Sequence, residues 1–259
     1  MADPIYRRIA EQLREQIESG ELVPGAQLPT ELELRERFNA SRNTIRDAVK
    51  SLIALGLVET RPGQGTFVTE RIEPFVTTLS ADPKTGLGGG EGVTYQDEGR
   101  AQQRVATATD PRVEIQLAAG VVPVLLKIPE GAQVVSRHQQ RLIDNTPWSL
   151  QTSFYPMKLV TQGQATRLLE ASSIESGTVK YIEETVHLKQ LGYRDWITVR
   201  SPDANETAFF RLPGDGRVAV FEILRTAFDQ DLHPVRLTVT VFPTDRNQFI
   251  VNVGELPGG

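Results

Sequence analysis

Four polar side chains that could contact nucleic acid lie close together in the sequence: Arg42, Asn43, Thr44 and Arg46. Arginine can bind guanine through two hydrogen bonds, asparagine can do the same with adenine, and threonine can contact a phosphate or a thymine methyl group. If a helix begins after Ser41, these side chains point away from its apolar stripe of Ile45, Ala48, Val49, Leu52 and Ile53. Residues at the start of such a helix can reach base edges in the major groove.

A second group of polar residues follows the alternation of two β-prone runs joined at Asp144. Side chains at alternate positions of a hairpin share one face. The odd positions here are Gln139, Arg141, Gln151, Ser153 and Tyr155. Polar side chains inside a domain cost free energy unless they pair with one another or with a ligand. The row therefore either lines a small-molecule pocket or forms the solvated face of the sheet.

An enzyme is the alternative hypothesis, and it lacks residues with catalytic spacing. The sequence has no cysteine, and His138, His187 and His233 lie far apart, so no metal site or nucleophile–histidine pair is indicated. Glu183 and Glu184 are adjacent on a predicted strand and would point to opposite faces. We therefore expect a binding protein without catalytic residues, metal or cofactor.

The elements that would position Arg42 and its neighbours are indicated between residues 4 and 70. Apolar residues recur at every fourth position from Ile5 to Ile17, which predicts a first helix. Thr30 opens a capping box that starts a second helix, and Ser41 caps a third. The segment LVETR-PGQG-TFVTE predicts a β-hairpin, so the pattern indicates a winged helix-turn-helix over residues 1–72. The candidate DNA-binding residues are Thr30, Arg35, Ser41, Arg42, Asn43, Thr44, Arg46, Arg61, Gln64 and Gly65.

The net charge of −5 argues against DNA binding only until charge is counted locally. Residues 35–61 contain six Arg or Lys residues against three Asp or Glu, an excess of three positive charges. A basic face can therefore lie on a mildly acidic protein. No apolar run has the length of a membrane span, and the N-terminus lacks the pattern of a signal peptide. We expect a cytoplasmic protein without a membrane partner.

Residues 73–92 are rich in Pro, Gly and small polar residues, which predicts a linker with at most one short strand at PFVTTL. The run GLGGGEG lacks the strand-then-helix context of a nucleotide-binding loop. Its composition favours a flexible joint instead.

Residues 93–253 contain a duplicated pattern. The stretch from Leu125 and the stretch from Phe209 both run from an apolar start to a β-rich segment with Arg, then Asp, Pro and a second β-rich segment. In this alignment Arg141 corresponds to Arg225 and Tyr155 to Phe242. Helical stretches are predicted before each hairpin, at about 111–119 and 202–210. The pattern indicates an α+β domain with two related halves around an antiparallel sheet.

The first segment resembles the DNA-binding domain of the GntR family of bacterial regulators. The match extends over more than sixty residues and includes PGAQLPTE, SRNTIR and GQGTFV. The resemblance implies that Arg42 and Arg46 are the main base or phosphate contacts, with Thr44 and the region of Gly65 in support. Leu32 departs from the pattern, because many members have arginine there; it is open whether Arg35, one turn later, replaces that contact.

The second segment resembles the effector-binding domain of the HutC-type subfamily, which has a chorismate-lyase-like fold and senses small molecules. Arg141, Asp144 and the prolines that follow carry this resemblance. Sugar-phosphate-sensing members have Arg-x-Arg and Glu where this chain has Gln139, Arg141 and Gln151, which argues against a sugar phosphate. Arg200 matches another frequent ligand contact, so the resemblance implies that Arg141 and Arg200 could bind a carboxylate or phosphate together.

The sequence thus predicts an α+β protein with an N-terminal winged helix-turn-helix and a C-terminal α/β effector-binding domain built on an antiparallel sheet. Residues 93–253 would also form the dimer. We expect a homodimeric transcriptional repressor that binds two-fold operator DNA and is controlled by a small-molecule effector. Activation is the alternative outcome of the same arrangement.

Overall fold

The computed structural model describes residues 4–69, 72–80 and 92–253, and the chain divides into two compact units. The first is Met1–Ile72 and the second is Glu73–Gly259. No helix among the described residues is both long enough and apolar enough to span a bilayer.

The first unit contains three helices and a hairpin: α1 (Ile5–Glu18), α2 (Glu31–Phe38), α3 (Arg42–Ala54), β1 (Val58–Arg61) and β2 (Gly65–Val68). The apolar stripes of the helices meet in one core, whose most buried members include Leu13, Leu34, Ile45, Ala48 and Leu52. The elements and their order are those of the predicted winged helix-turn-helix.

The predicted caps are present at the two helices of the turn. The Thr30 hydroxyl accepts a hydrogen bond from the Glu33 amide, and the Glu33 carboxylate accepts one from the Thr30 amide, at 2.7 Å. Ser41 accepts from the Thr44 amide at 3.2 Å and so starts α3. Asn39, between the helices, has φ +46°, a left-handed conformation that asparagine tolerates better than most residues. Local side-chain chemistry therefore sets both ends of the turn.

The second unit contains a six-strand path with a seventh strand paired to its side. The strands are β4 (Ala106–Ala108), β5 (Arg112–Leu117), β6 (Gln133–Ile143), β7 (Thr146–Pro156), β8 (Gly192–Arg200), β9 (Val220–Phe228) and β10 (Pro234–Pro243). Their order is β4-β6-β7-β10-β9-β8, β5 also pairs with β6, and all pairs are antiparallel. β3 (Phe75–Thr78) and β11 (Asn247–Ile250) form a separate parallel pair.

The helices of this unit pack on both faces of the sheet. They are α4 (Gly92–Ala101), α5 (Val121–Leu126), α6 (Lys158–Thr161), α7 (Thr178–Val186) and α8 (Ala204–Phe210), with a 3-10 helix at Thr166–Leu169. α5 and α8 contact the even-numbered side chains of β6 and β7, such as Val134 and Leu150. α6, the 3-10 helix and α7 cover Val135 and Tyr155 on the other face.

The two hairpins β6–β7 and β9–β10 are related by a local two-fold arrangement. Corresponding residues of β7 and β10 are 87 positions apart, as Tyr155 and Phe242 are. In the β7·β10 pair Thr152 lies opposite its own counterpart, Val239. Both hairpins carry a one-residue bulge at the matching place, at Trp148 and at Val235. The duplicated pattern of the sequence thus corresponds to two joined copies of one helix–hairpin unit.

The structure corrects one detail of that alignment. Gln139 lies opposite Gln151, and Arg225 lies opposite Thr238, which is the counterpart of Gln151. Arg225 therefore corresponds to Gln139, not to Arg141. The sequence alignment was two residues out because it paired the two arginines by residue type, whereas Arg141 corresponds to Ala227.

Three predicted elements are wrong. Residues 112–117 form strand β5 and not a helix, since Val113, Ile115 and Leu117 alternate with polar residues at period two. The short strand at PFVTTL exists, but residues 73–80 are not a linker: Phe75 is fully buried and β3 pairs with β11. The rest of the predicted linker, up to residue 91, lies outside the described residues. Glu183 and Glu184 lie in helix α7, not on a strand.

Candidate nucleic-acid interface and effector site

The start of α3 presents two arginine side chains side by side. Arg42 Nε donates to Glu31 Oε2 at 2.9 Å, and Arg46 Nε donates to Glu31 Oε1 at 2.8 Å. The two side chains are 63% and 52% exposed. Because the bonds to Glu31 use Nε, the terminal nitrogens of both guanidinium groups remain available as donors. One carboxylate therefore fixes the direction of two cations that face solvent.

The two arginines also affect Glu31. Their hydrogen bonds, first from Arg46 and then from Arg42, lower the pKa of the Glu31 carboxyl below its ordinary value. Glu31 thus stays ionised at neutral pH and holds both guanidinium groups. The sequence marks Glu31 only as part of a helix start; its position 11 and 15 residues before the two arginines gives no signal until the turn is folded.

The other predicted residues surround this pair. Asn43 and Arg35 are exposed, and Thr44 is half-buried with its hydroxyl 2.8 Å from that of Ser41. Ser41 and Thr30 act as helix caps, so their hydroxyl groups are already engaged at the surface where α2 and α3 begin. Leu32 is exposed, at the place where arginine is frequent in the resembling family.

The wing lies on the other side of a cleft of about 540 Å³ whose lining includes Arg46 and Arg61. The Arg61 guanidinium stacks 4.5 Å from the centre of the Phe67 ring and pairs with Glu59 at 2.8 Å. Gln64 is exposed at the turn. Both Arg46 and Arg61 can therefore reach a backbone that enters the cleft.

Gly65 is required by the wing turn. Its φ is +123°, and a Cβ placed on it would lie 2.5 Å from Gln27 Nε2. Gln27 Nε2 instead donates to the Gln64 carbonyl at 2.9 Å and fastens the turn to the loop before α2. The role of Gln27 is not visible in the sequence, because none of its sequence neighbours indicates that this loop lies beside the wing.

The predicted polar row exists on one face of the second unit's sheet. Arg141 Nη2 donates to Gln151 Oε1 at 2.6 Å, and Gln151 Nε2 donates to Thr240 Oγ1 at 3.3 Å. The Ser153 hydroxyl lies 3.1 Å from that of Thr238. Arg141 and Gln151 are buried, so these side chains do not form a solvated face.

Three further buried arginines share this face: Arg137, Arg225 and Arg236. Arg225 binds Asp195 through two nitrogens, at 2.8 and 2.7 Å, and stacks 3.8 Å from the Tyr193 ring centre. Arg236 donates to Gln190 at 3.1 Å. With Arg141 they place four buried guanidinium groups on this face, one of which is paired with Asp195. The alternation of residues along β9 and along β10 indicates which side chains of each strand share a face. The sequence does not indicate the register in which those strands join β7, so it does not place these arginines beside Arg141.

Arg137 is held differently from the other three. Its guanidinium donates to the carbonyls of residues 167, 168, 170 and 172, at 2.7–3.2 Å. Burial lowers the pKa of Arg137 from its ordinary value. Arg137 therefore anchors the segment around the 3-10 helix to the sheet.

Arg141 is also fixed from above by α4. Its guanidinium lies 4.7 Å from the centre of the Tyr95 ring, and the Tyr95 hydroxyl donates to the Leu142 carbonyl at 3.2 Å. Burial raises the pKa of Tyr95, so the phenol is neutral at physiological pH. The ring thus offers Arg141 a π face and not a negative charge.

Three predicted effector residues do not belong to this hydrogen-bonded row. Arg200 is on the opposite face of the sheet from Arg141, where it binds Glu206 through two bonds of 2.7 Å and Glu222 at 2.8 Å. Arg141 and Arg200 therefore cannot bind one ligand together. Tyr155 shares the polar face but is packed in an apolar cluster with Val135 and Leu159. Gln139 lies at the border and donates to the Thr109 carbonyl at 2.9 Å.

Comparison with family models gives two matches. Residues 5–68 match the gntR family of bacterial regulatory proteins, and residues 101–248 match the UTRA domain.

Curated relatives divide into those that match the first unit and those that match the chain. The chain is 48% identical over 67 residues to the mannosyl-D-glycerate transport/metabolism system repressor MngR of Escherichia coli, and 48% over 86 residues to the repressor NagR of Bacillus subtilis. These alignments cover only 28% and 35% of the two relatives. An E. coli protein named "Probable fructoselysine utilization operon transcriptional repressor" is 26% identical over 90% of this chain and 88% of its own length.

Solved structures show the same fold over nearly the whole chain. A GntR-family regulator matches with a TM-score of 0.65 at 24% identity, covering 98% of this chain and 99% of the other. PhnF from Mycobacterium smegmatis matches with a TM-score of 0.56 at 23% identity, covering 95% and 99%. Because the UTRA match alone spans more than half of the chain, and a gntR-type head precedes it, this chain belongs to the UTRA-domain group of the bacterial gntR regulatory proteins, a family of DNA-binding transcriptional regulators and not of enzymes.

Proposed function

We propose that the protein is a repressor that binds operator DNA through residues 1–72 and is released by a small-molecule effector bound in the second unit. The observation that carries the DNA-binding part is the pair Arg42 and Arg46, held side by side by Glu31 and exposed at the start of α3. A helix start that carries two oriented arginines fits base edges and phosphates of a major groove. The wing, with Arg61 and Gly65, would contact the adjacent backbone.

The variant Arg46→Ala tests this part. It should lower operator affinity by about 10- to 100-fold, which corresponds to the loss of one bidentate base contact or a phosphate contact. Arg100→Ala is the matched control, because Arg100 is also exposed and ion-paired to a carboxylate three residues away, at 2.6 Å. Affinity is measured by fluorescence anisotropy with an operator duplex at two salt concentrations. Unchanged binding by Arg46→Ala would remove α3 from the proposal.

For the effector we propose an anionic small molecule bound over Arg141, Gln151, Ser153 and Thr238. Support comes from the side chains of this face, where the guanidinium groups of Arg137, Arg141, Arg225 and Arg236 are buried on one side of the sheet beside serine, threonine and glutamine. Buried guanidinium groups are stabilised by an anion that offers several acceptors. The serine and threonine hydroxyls between them can bind the uncharged part of the same molecule.

A thermal-shift screen of carboxylates and phosphate esters, with and without operator DNA, tests the effector site. A compound that raises the melting temperature of the wild type should fail to do so for Arg141→Met. Arg200→Met is the control, and it should still respond, since Arg200 lies on the other face. If Arg200→Met loses the response and Arg141→Met keeps it, the effector binds elsewhere.

The proposal includes a homodimer that acts on DNA in the cytoplasm. Two heads related by a two-fold axis would bind two half-sites, and an effector that changes their spacing would lower affinity by about 1–3 kcal/mol, a usual allosteric coupling. Repressor names among relatives over most of the chain's length favour repression over activation. Analytical ultracentrifugation of the full chain with and without operator tests the stoichiometry.

A further inference from the structure

Strand β8 has a long, regular outer edge. It pairs with β9 through nine consecutive residue pairs without a register shift, from Gly192 to Arg200. It is the last strand in the sheet order, so among the described residues no strand pairs with its other side. An unbroken edge of this length presents a row of backbone donors and acceptors to any strand that approaches.

The centre of this edge is apolar on both faces. Trp196 is 56% exposed, Ile197 46% and Val199 61%. Folded proteins usually protect an edge strand with a charge, a proline or a bulge, and the segment 196–199 contains none of these. Trp196 lies on one face of the sheet, and Ile197 and Val199 lie on the other. A further strand at this edge would cover all three, because its own side chains also alternate between the two faces.

We propose that β8 pairs with β8 of a second copy of this chain, antiparallel, around a two-fold axis at Ile197. This inference rests on the proposed homodimer and specifies its surface. In such a pair, residues directly opposite each other point to the same face. With the axis at Ile197, Trp196 lies opposite the partner's Thr198, and Ile197 lies opposite the partner's Ile197. The two edges then cover each other's apolar segments.

Charge supports a second copy as the occupant. Arg194 is exposed at one end of β8. At the other end, on the same face, Arg200 is bound by Glu206 and Glu222, a cluster with a net charge of −1. An antiparallel two-fold arrangement about Ile197 brings Arg194 opposite the partner's Arg200 and its two glutamates, once at each end. An axis at Trp196 or Thr198 would not align these charges.

The other apolar edge of the sheet does not compete as a partner. Strand β5 exposes Ile115 at 55% on the far side of the sheet. Pairing of β8 with the partner's β5 would join two different surfaces of the chain. Such a head-to-tail contact generally continues to further copies and does not form a closed dimer. Self-pairing of β8 closes at two copies, as a two-fold operator requires.

The absence of cysteine from the chain makes disulfide trapping a direct test. In Ile197→Cys the two thiols would lie on the axis, where opposite residues of an antiparallel pair are about 4.5–5.5 Å apart at Cα, within the range of a disulfide. Val199→Cys is the matched control, on the same strand and face with similar exposure. Its two copies would be about 14 Å apart along the strand and could not be bridged.

The full-length variants are oxidised at low concentration and analysed on non-reducing gels, alongside ultracentrifugation and operator binding of the wild type. We expect most of Ile197→Cys and little or none of Val199→Cys to form a covalent dimer that still binds operator. If the wild type is a dimer but Ile197→Cys does not cross-link, or Val199→Cys cross-links better, the dimer uses another surface and this inference is wrong while the proposed function stands. A wild type that binds operator only as a monomer would overturn the inference and the proposed homodimer together.

Discussion

Glu31 organises the exposed face of the first unit. An arginine side chain that is free to rotate loses conformational entropy when it binds, and two such side chains lose twice as much. Because Glu31 binds Arg42 and Arg46 before any DNA is present, part of that loss has already occurred on folding. Glu31 therefore favours binding to a phosphate-rich partner because it orders the side chains of Arg42 and Arg46, although its own negative charge opposes that binding.

The pKa of Glu31 provides a test of this arrangement. Arg46 is the largest cause of its lowered pKa and Arg42 the second, so Arg46→Ala should raise the pKa of Glu31 more than Arg42→Ala does. Any stability that the group contributes is present above its unfolded-state pKa and lost as pH falls through its lower folded-state pKa. Carbon-13 NMR titration of the carboxyl measures the shift. An unchanged pKa in both variants would show that the two contacts do not persist in solution.

Arg200 is ion-paired with a buried carboxylate, that of Glu206. Arg200→Met leaves Glu206, which is buried, without its bidentate partner. We expect the free energy of unfolding of the second unit to fall by about 1–3 kcal/mol, since a buried carboxylate loses two charge-assisted bonds while Arg200 itself is partly solvated.

Urea denaturation followed by tryptophan fluorescence measures the effect. Arg112→Met is the control, because Arg112 is 73% exposed and pairs with Glu114 only at 3.5 Å. A loss as small in Arg200→Met as in Arg112→Met would show that the buried pair contributes nothing.

The case of Arg200 shows what the sequence cannot predict about a site. Alternation predicts which residues of one strand share a face, and it placed Arg141, Gln151 and Ser153 together as the structure does. It does not relate β8 to β7, because three pairings with their own registers lie between them. The side of the sheet on which Arg200 lies therefore depends on the registers of these strand pairs, which only the folded structure determines.

At the scale of elements, local chemistry made the first unit predictable. The caps at Thr30 and Ser41 act within three residues, and the apolar stripe of α3 has a clear helical period. The sequence indicated the short strand β3 but not its burial, because that burial depends on β11, whose paired residues lie 172 positions further along the chain. The linker prediction failed for this reason: composition describes the segment but not its distant partner.

Helix α4 and the turn that follows it hold β3 by side chains, which bond to its main chain as a neighbouring strand would. Gln102 accepts from the Val76 amide at 2.9 Å and donates to the Val76 carbonyl at 2.8 Å, and Glu98 accepts from the Thr78 amide at 2.9 Å. These bonds lie on the edge of β3 that β11 does not occupy. The helix thereby completes the hydrogen bonding of a strand that would otherwise have one open side.

The variant Gln102→Ala should destabilise the second unit by about 1–3 kcal/mol, because two main-chain groups of Val76 lose their partners. Gln103→Ala is the control, an exposed residue next in sequence. Hydrogen exchange at Val76 and thermal unfolding measure the effect. Equal stability of the two variants would show that water replaces the glutamine at no cost.

At the scale of the whole molecule, the two units differ in how their contacts are distributed along the chain. The first unit is complete within 72 residues. The second joins its first strand to its last, since β3 pairs with β11 and Phe75 packs against Trp148 at a ring distance of 6.2 Å. Its core therefore depends on residues from both ends of the unit.

A chain ended after residue 244 should separate the two units experimentally. It lacks β11, so β3 loses its partner, and the contacts of the partly buried Phe249 with Phe221 and Phe242 are missing. We expect the first unit to keep its dispersed NMR signals and its DNA binding, while the second unit becomes sensitive to protease. Protease resistance of both units after truncation would show that β11 is dispensable.

The pairing of β3 with β11 has a consequence for biosynthesis. While the ribosome is still translating the second unit, the first unit has already emerged and can fold, because its core is built from residues between Ile9 and Val68. The second unit cannot complete its fold until β11, its last strand, has left the ribosomal exit tunnel. Each nascent chain therefore carries a folded DNA-binding head before it carries a sensor able to respond, and the interval between the two states is set by the time needed to translate residues 73–250.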